Sequence, residues 1–254
     1  NHITNENAAG TGESINVIGQ RVNISNNVMI STAVSQIYIA PDDDNALITI
    51  SDNSIQFTGA QDNGYGIVMT DVSSTIVANN NIINARVGIY ASGTSLGVET
   101  WGLSIIGNTI LRAYRQGIAI SDNGVNRKYR SVTINDNSII NNSLRGVNND
   151  DAILIEQVAG VIDDIHLDGN TVWDYNTNCR DAVRFSGTVN RKVVEPNQKV
   201  YGINGSIVTG YYTSAPGEAG WKVGQKITNF APVSGGSEGW VLTGTGWKTF
   251  GSIS

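Results

Sequence analysis

Two aspartates each precede a similar short apolar segment, or apolar step, of the chain, and the second lies about thirty residues after the first. Asp151 opens Asp-Ala-Ile in the stretch NNDDAILIE (148–156), and Asp181 opens Asp-Ala-Val in RDAVRF (180–185). If the two steps stack on neighbouring turns of a repeat, the carboxyl groups couple, and one keeps its proton beside an ionised partner. Glycoside hydrolysis uses a pair of this kind. We therefore predict that Asp151 and Asp181 are catalytic.

Neighbouring charges suggest the role of each carboxyl group. Arg180 and Arg184 flank Asp181 and are expected to hold it ionised, which leaves Asp151 or Glu156 as the acid. A separation near 5 Å between the two carboxyl groups favours retention, and roughly 6.5–9.5 Å favours inversion. The sequence leaves both outcomes open. The alternative is that these are ordinary turn carboxylates paired with nearby arginines.

Arginine and aromatic residues gather in the segments that precede such apolar steps. If the segments are equivalent parts of a repeat, their side chains project from one side. Guanidinium groups and aromatic rings suit an acidic glycan, through charge-assisted hydrogen bonds and ring stacking. The alternative is a set of unrelated solvated charges. The predicted substrate-binding residues are Arg112, Arg115, Arg145, Arg180, Arg184, Tyr114, Trp173 and Tyr175, and Arg86 and Tyr65 lie in the same segments.

An asparagine recurs in one local frame: apolar, polar, small or polar, Asn, any residue, apolar. The framed residues are Asn27, Asn53, Asn80, Asn108, Asn137 and Asn170, at spacings of 26, 27, 28, 29 and 33 residues. A near-constant period of this length is typical of a solenoid. The asparagines are predicted to form a hydrogen-bonded ladder in the bend of each turn and to have no catalytic role.

Each period contains a second apolar segment, such as YGIVMT (65–70) or DAVRFS (181–186), and both segments alternate apolar with polar residues as half-buried strands do. We predict an all-β fold: a right-handed parallel β-helix over residues 1–210, with at least two strands per turn. One interior column is predicted to contain Ile24, Ile50, Val77, Ile105, Ile134 and Leu167. A second is predicted to contain Met29, Ile55, Ile82, Ile110, Ile139 and Val172.

Composition excludes several classes of function. The net charge of −6 argues against general nucleic-acid binding. No apolar run approaches the ~20 residues of a membrane helix. Cys179 is the single cysteine and is interpreted as a small buried filler. With two histidines and no Cys pair, no metal site and no cofactor is predicted; His166 is interpreted as structural, and the acidic run 42–44 as a solvated turn.

The repeat weakens near residue 187. YGINGSIVTG (201–210) is interpreted as a last turn, with Ser206 where the asparagine would stand. Residues 211–254 contain three of the five tryptophans, Trp221, Trp240 and Trp247, in Gly-rich surroundings. We predict that they form a small β module that covers the open end of the solenoid, since uncovered strands recruit other chains.

The tail carries a family resemblance in the stretches GWKVG (220–224), AP (231–232), GWV (239–241) and GWKTFG (246–251). It resembles the C-terminal module that follows pectate-lyase-like β-helices, which include bacteriophage tailspikes and polysaccharide depolymerases. The resemblance implies binding or cleavage of a bacterial surface polysaccharide such as a capsule or O-antigen, a homotrimer, and an extracellular or virion-associated location. It carries over no catalytic residue, because these families share no fixed catalytic motif.

Three functions stay open at this stage. The first is a glycoside hydrolase that uses Asp151, Asp181 and Glu156. The second is a polysaccharide lyase, in which Arg145 or Arg180 neutralises a uronate carboxylate beside a base. The third is a module that binds glycan, or stiffens a spike, without cutting.

Overall fold

The computed structural model of this chain describes residues 2–5, 14–18, 21–31, 35–41, 47–58, 64–93, 99–122, 128–147, 149–159, 161–187, 189–194, 198–203, 208–209, 226–228, 239–243 and 245–251. These residues form strands, turns and bends, and no helix among them is long and apolar enough to cross a membrane. The prediction of an all-β fold is confirmed.

Three parallel sheets, named A, B and C, run the length of the repeat region. Sheet A contains β1 (His2–Asn5), β4 (Val28–Ser31), β7 (Ser54–Phe57), β10 (Asn81–Ile83), β14 (Thr109–Leu111), β17 (Ser138–Ile140), β20 (Thr171–Trp173) and β23 (Lys199–Tyr201). Sheet B contains β2 (Ile15–Val17), β5 (Ile37–Ile39), β8 (Tyr65–Thr70), β11 (Val87–Ser92), β15 (Ile118–Asp122), β18 (Ile153–Gln157), β21 (Val183–Ser186) and β24 (Val208–Thr209).

Sheet C contains β3 (Arg21–Ser25), β6 (Leu47–Ser51), β9 (Thr75–Ala78), β13 (Leu103–Ile106), β16 (Lys128–Asn135), β19 (Val161–Asp168) and β22 (Val189–Val194), while β12 (Glu99–Trp101) pairs with the first part of β16. Along the chain a strand of sheet C is followed by one of sheet A and then one of sheet B. Each coil of the solenoid therefore has three strands, and the connection from sheet A to sheet B is called the A–B loop below.

The interior columns form as predicted. Ile24, Ile50 and Val77 occupy matching positions of β3, β6 and β9 in sheet C, and Met29 and Ile55 do so in sheet A. The registers extend both columns by one coil, to Val194 and Val200. A third inward column of sheet C runs through Val22, Ile48, Thr75, Leu103, Val132 and Ile165 and ends on Lys192.

The framed asparagines form the predicted ladder in the bend between sheets C and A. Asn80 Nδ2 donates to Asn108 Oδ1 at 3.0 Å, and Asn108 Nδ2 donates to Asn137 Oδ1 at 3.0 Å. Each side chain also donates to a backbone carbonyl, as Asn108 does to Val77 at 2.9 Å. Because the amide groups of the ladder bond to the coils on either side, these buried polar side chains are satisfied and the ladder stabilises the turn.

The frame position before each asparagine has a conformational reason. All six residues there, Asn26, Asp52, Asn79, Gly107, Asp136 and Gly169, have φ between 55° and 67°. Glycine adopts this left-handed backbone most readily, and asparagine and aspartate do so more readily than most other residues. The "small or polar" position of the frame is thus set by the bend itself.

The end of the repeat differs from the prediction. Gln198 occupies the ladder position of a seventh coil, and its Oε1 accepts a hydrogen bond from the backbone N–H of Asn170 at 3.2 Å. Tyr201 ends β23 in sheet A, and β24 belongs to sheet B. The sequence had not marked Gln198 as a ladder residue, because a longer amide takes the role of asparagine there, and Ser206 lies outside the described residues.

Near the C-terminus, β25 (Lys226–Thr228), β26 (Gly239–Thr243) and β27 (Gly246–Phe250) form a separate antiparallel sheet. This change from parallel to antiparallel pairing follows β24, the last described strand of sheet B. Trp221 lies outside the described residues. That the sheet covers the end of the solenoid stays a prediction.

Candidate functional site

The A–B loops of consecutive coils carry the predicted arginines in adjacent positions. On the third and fourth coils the backbone N–H of Arg115 donates to the carbonyl of Arg86 at 2.8 Å, and on the fifth coil that of Arg145 donates to the carbonyl of Tyr114 at 3.0 Å. On the sixth coil the N–H of Arg180 donates to the carbonyl of Asp150 at 2.9 Å. The repeat therefore brings these four arginines to one corner of the solenoid, beside the start of sheet B.

The fifth A–B loop is the longest of these and accounts for the 33-residue spacing. It runs between the end of β17 and the start of β18, and Asn141 and Ser143 bend it with φ of 52° and 60°. The Ser143 hydroxyl donates to the carbonyl of Gly146 and accepts from the N–H of Asp150, both at 3.2 Å. The loop is thereby held so that Asp150 and Asp151 return to the edge of sheet B.

Asp151 and Asp181 stack on adjacent coils, as the matched steps predicted. The N–H of Ala152 donates to the carbonyl of Asp181 at 2.9 Å, and the following residues are in register. With Asp150, these two residues form a set called the carboxylate cluster below. Both Asp151 and Asp181 are buried, and the charge of Asp181 contributes to raising the pKa of Asp151.

Asp151 is held by Arg180. The guanidinium Nε donates to Oδ1 at 2.9 Å and Nη2 donates to Oδ2 at 2.6 Å. Burial raises the pKa of Asp151, although this pair favours its ionised form. No surface of Asp151 is exposed. Asp151 is therefore the bidentate partner of Arg180, and its predicted catalytic role stays a prediction.

Asp181 faces two cations at longer range. Its Oδ2 lies 3.8 Å from Arg180 Nε and 3.7 Å from Arg184 Nη1, and Arg184 projects from the outer face of β21. The prediction that Arg180 and Arg184 flank Asp181 is confirmed in position. Both guanidinium groups therefore lie close enough to form ion pairs with Asp181.

Asp150 has the environment expected of an acid. It is 4% exposed, its Oδ1 accepts from Gln116 Nε2 at 3.1 Å, and its Oδ2 has no hydrogen-bond partner among the described residues. Burial raises the pKa of Asp150, against the opposing effects of the Arg145, Arg115 and Arg180 charges. In the sequence, Asp151 was identified because it aligns with Asp181. Asp150 could have been identified from the Asp-Asp pair, because the side chains of adjacent residues next to a strand face different sides.

Glu156 is not part of this cluster. It lies five residues after Asp151 on the outer face of β18, about 16 Å along the strand at ~3.3 Å per residue. Ser121 on the neighbouring strand donates to its Oε2 at 3.4 Å. The extended strand thus separates Glu156 from the cluster, and a catalytic role for Glu156 stays a prediction.

Arg112 lies at the other end of its loop. It follows β14 directly, is exposed, and has φ of 59°. Of the five loop arginines, Arg112 is thus on the sheet A side, whereas Arg115, Arg145 and Arg180 approach Asp150. Tyr114 lies between the two groups and is partly exposed.

Trp173 and Tyr175 lie on the sheet A side too, where Tyr201 joins them. The ring centroids of Trp173 and Tyr175 are 4.9 Å apart, with an interplanar angle of 26°, and those of Trp173 and Tyr201 are 5.2 Å apart. All three rings are exposed. The sequence missed Tyr201, although Gln198-Lys199-Val200-Tyr201 aligns with Asn170-Thr171-Val172-Trp173 once Gln198 is read as the ladder residue.

Other predictions concern residues with no assigned chemistry. Cys179 is buried, and burial raises the pKa of its thiol to about 12, which agrees with a packing role. Among the described residues, no group of three or more His, Cys, Asp or Glu side chains has the arrangement of a metal site. The acidic run 42–44 lies outside the described residues.

Two kinds of comparison with known proteins found similarity to this chain. A family model described as the right handed beta helix region matches residues 1–172. No curated protein matches the chain. Among solved structures, the A-module of the mannuronan C-5 epimerase AlgE4 of Azotobacter vinelandii is similar at 11% identity and a TM-score of 0.42, covering 75% of this chain. The chain spans 57% of the length of that module. The match of the family model over more than half of the sequence shows that this chain belongs to the right-handed β-helix family.

Proposed function

We propose that this chain binds and cleaves a polysaccharide, and that the carboxylate cluster hydrolyses the glycosidic bond. The observation that carries the proposal is the contrast between Asp150 and Asp181. Burial raises the pKa of Asp150, and its Oδ2 is unpartnered among the described residues, whereas Asp181 has two guanidinium groups within 3.8 Å. A carboxyl group with a raised pKa and a second one paired with arginines, on neighbouring coils, suit the two roles of acid and base or nucleophile that glycoside hydrolysis requires.

The proposed acid is Asp150. Its neutral carboxyl group donates a proton to the glycosidic oxygen while the bond from that oxygen to the anomeric carbon breaks. Asp181, as the carboxylate, then attacks the anomeric carbon or takes a proton from the attacking water. Less than 1 Å² of Asp150 Oδ2 is open to solvent, so the proposal requires neighbouring side chains to move when glycan binds.

Asp151 and Arg180 are positioning residues in this scheme. Their bidentate pair fixes the guanidinium group between the two coils, where it lies beside Asp181 and contributes to the field at Asp150. Arg145 is exposed next to Asp150 and is the guanidinium best placed to meet an acidic group of the glycan. Arg115, on the previous coil, adds a further positive charge near Asp150. The proposed substrate is therefore an acidic polysaccharide, such as a bacterial capsule or O-antigen.

The test is cleavage of a panel of acidic and neutral capsular and O-antigen polysaccharides, measured as new reducing ends. Asp150→Asn and Asp181→Asn are each expected to lower the rate at least a hundredfold, while Asp52→Asn, at an exposed bend on another corner, keeps it. Full activity in either cluster variant would overturn the assignment. Retention of glycan with no new ends would instead indicate a module that binds without cutting.

A lyase is the second candidate, and the exposed cation of Arg145 beside Asp150 is what favours it. An arginine neutralises the carboxylate of a uronate, a base removes the proton next to it, and the glycosidic oxygen leaves as a double bond forms. Each cleavage then yields an unsaturated product that absorbs ultraviolet light. Reducing ends that appear without a rise in absorbance would exclude the lyase.

The proposal extends to context. The resemblance of the tail to tailspike modules supports an extracellular or virion-associated role and a homotrimer. A mass in solution of one 27.0 kDa chain would contradict the trimer. The hydrolytic assignment does not depend on this, because all residues of the carboxylate cluster come from one chain.

A further inference from the structure

Three exposed aromatic rings form a continuous surface on the last two described coils of sheet A. Trp173 is 41% exposed, Tyr175 is 65% exposed and Tyr201 is 50% exposed. Trp173 is in contact with both tyrosine rings, at centroid distances of 4.9 and 5.2 Å. These three residues are called the aromatic platform. Folded chains seldom leave three touching rings open to water unless the surface binds a partner.

The loop that follows Trp173 holds the platform in place. Asp174 is buried, and its Oδ1 and Oδ2 accept from the backbone N–H groups of Asn176 at 3.0 Å and Cys179 at 2.6 Å. The N–H of Tyr175 donates to Asn141 Oδ1 on the previous coil at 2.7 Å. Since the backbone beneath the rings is already fixed, a ligand orders little of the protein when it binds.

The platform and the carboxylate cluster share one loop. Trp173 and Arg180 stand at its two ends, and Asp181 follows at once. Asp181 is eight positions after Trp173 in the chain, which limits their distance to about 28 Å at ~3.5 Å per residue. A ligand that extends along this corner of the solenoid therefore reaches both.

The chemistry around the rings points to a sugar rather than an apolar protein surface. Asn176, Thr177 and Lys199 are neighbours of the platform residues in the chain and are exposed, so polar groups border the rings. A sugar ring offers an apolar C–H face to an aromatic ring, whose face is electron-rich, and hydroxyl groups at its rim. Flat rings with a polar border match both features.

We propose that the aromatic platform is an accessory subsite that stacks a sugar unit of the same polysaccharide, several units away from the bond that is cut. The inference rests on the proposed function for the identity of its ligand. Its consequence is a preference for polymer: long chains contact both the platform and the carboxylate cluster, whereas short oligosaccharides contact only the cluster. The two contacts reinforce each other because they belong to one ligand.

The test measures binding and cleavage separately. Binding of polymannuronate, polygalacturonate and a neutral β-glucan is measured by affinity electrophoresis and calorimetry in an Asp150→Asn background, where no cleavage interferes. Trp173→Ala and Tyr201→Ala are each expected to weaken the binding of at least one polymer about tenfold. Trp101→Ala is the matched control, because Trp101 is 46% exposed on β12, beside sheet C, and should have no effect.

Cleavage gives the second measurement. In the wild-type background Trp173→Ala should raise KM for the polymer about tenfold and leave the cleavage of short oligosaccharides unchanged. Equal losses from Trp101→Ala and Trp173→Ala, or no polymer bound by any protein, would overturn the inference. If the polymer binds through the platform and no variant cleaves it, the accessory subsite stands and hydrolysis is refuted.

Discussion

Arg180 donates two hydrogen bonds to Asp151, and both oxygens of that buried carboxylate are used in doing so. The pair joins the sixth coil to the fifth at the point where the longest A–B loop meets sheet B. Because Arg180 is one-third exposed and Asp151 is not exposed at all, water can solvate only one of the two partners once the pair is broken.

Arg180→Gln is therefore expected to destabilise the protein by roughly 1–3 kcal/mol, since it leaves the buried carboxylate of Asp151 without its two charge-assisted hydrogen bonds. Urea unfolding measures the change. Asp52→Asn is the control, because Asp52 is exposed with φ of 57°, a conformation that asparagine shares, and its effect should stay within about 0.5 kcal/mol. Equal stabilities of the two variants would contradict a structural role for the pair.

Asp150→Asn is expected to stabilise the protein at neutral pH. Burial outweighs the neighbouring arginines and raises the pKa of Asp150 in the folded state. The folded protein therefore binds more protons than the unfolded chain above about pH 4, and stability falls as the pH rises through the folded pKa. An amide does not ionise in this pH range, so Asp150→Asn does not lose the stability that the wild type loses as the pH rises.

Thermal unfolding of the wild type and Asp150→Asn between pH 4 and pH 8 tests the sign. The wild type should lose stability relative to the variant as the pH rises through the folded pKa of Asp150, and the two curves should converge toward pH 4. Parallel curves would show that the environment of Asp150 does not disfavour its charge.

Asn108→Ala is expected to cost about 3 kcal/mol or more. The substitution removes donors to Asn137 and to the carbonyl of Val77, and it leaves the N–H and Nδ2 of Asn80 without their acceptor. Each buried polar group without a partner costs about 1–3 kcal/mol. Asn81→Ala, next to the ladder but exposed, should change stability by about 0.5 kcal/mol or less in the same denaturant titration.

Gly88→Ala tests the packing inside the solenoid. A Cβ at Gly88 would lie 2.6 Å from the carbonyl oxygen of Gly117 and 2.7 Å from Ile110 Cγ2, both too close. Relief requires the backbone or the isoleucine to shift, at about 1–3 kcal/mol. Ser104→Ala, on the outer face of β13, is the comparison and should be nearly neutral in calorimetric Tm; a Gly88→Ala protein as stable as that control would refute the steric argument.

The sequence predicted the repeat well because the bend imposes its own chemistry. Asparagine in the bend and a residue with left-handed backbone before it form a sequence pattern that six coils share. Aligning the coils on this pattern predicted the residues of the interior columns. Gln198 escaped because it satisfies the same hydrogen bond with a different side chain. The candidate site lies in the A–B loops, and the lengths of these loops differ. The repeat pattern could therefore align Asp151 with Asp181 on adjacent coils, but it could not predict the direction in which each carboxyl group points.

The roles of Asp150 and Glu156 show the same limit. Whether a carboxyl group keeps its proton depends on burial and on three-dimensional neighbours. Asp150 acquires both only when Gln116, Arg115 and Arg180 from other coils, and Arg145 from its own loop, surround it. Glu156 has the right chemistry in the sequence, but each residue of an extended strand adds about 3.3 Å to its distance from the cluster.

Lys192, at the end of the third inward column of sheet C, has a consequence for assembly. Its Nζ lies 5.1 Å from the ring centroid of Phe185, and burial lowers its pKa. Another coil, or the end of another molecule, stacked on this column would have to enclose an ammonium group or remove its proton. An inward-pointing charge of this kind discourages strand-to-strand association. We therefore expect Lys192, the last residue of this column in the described part of the chain, to disfavour end-to-end stacking of solenoids.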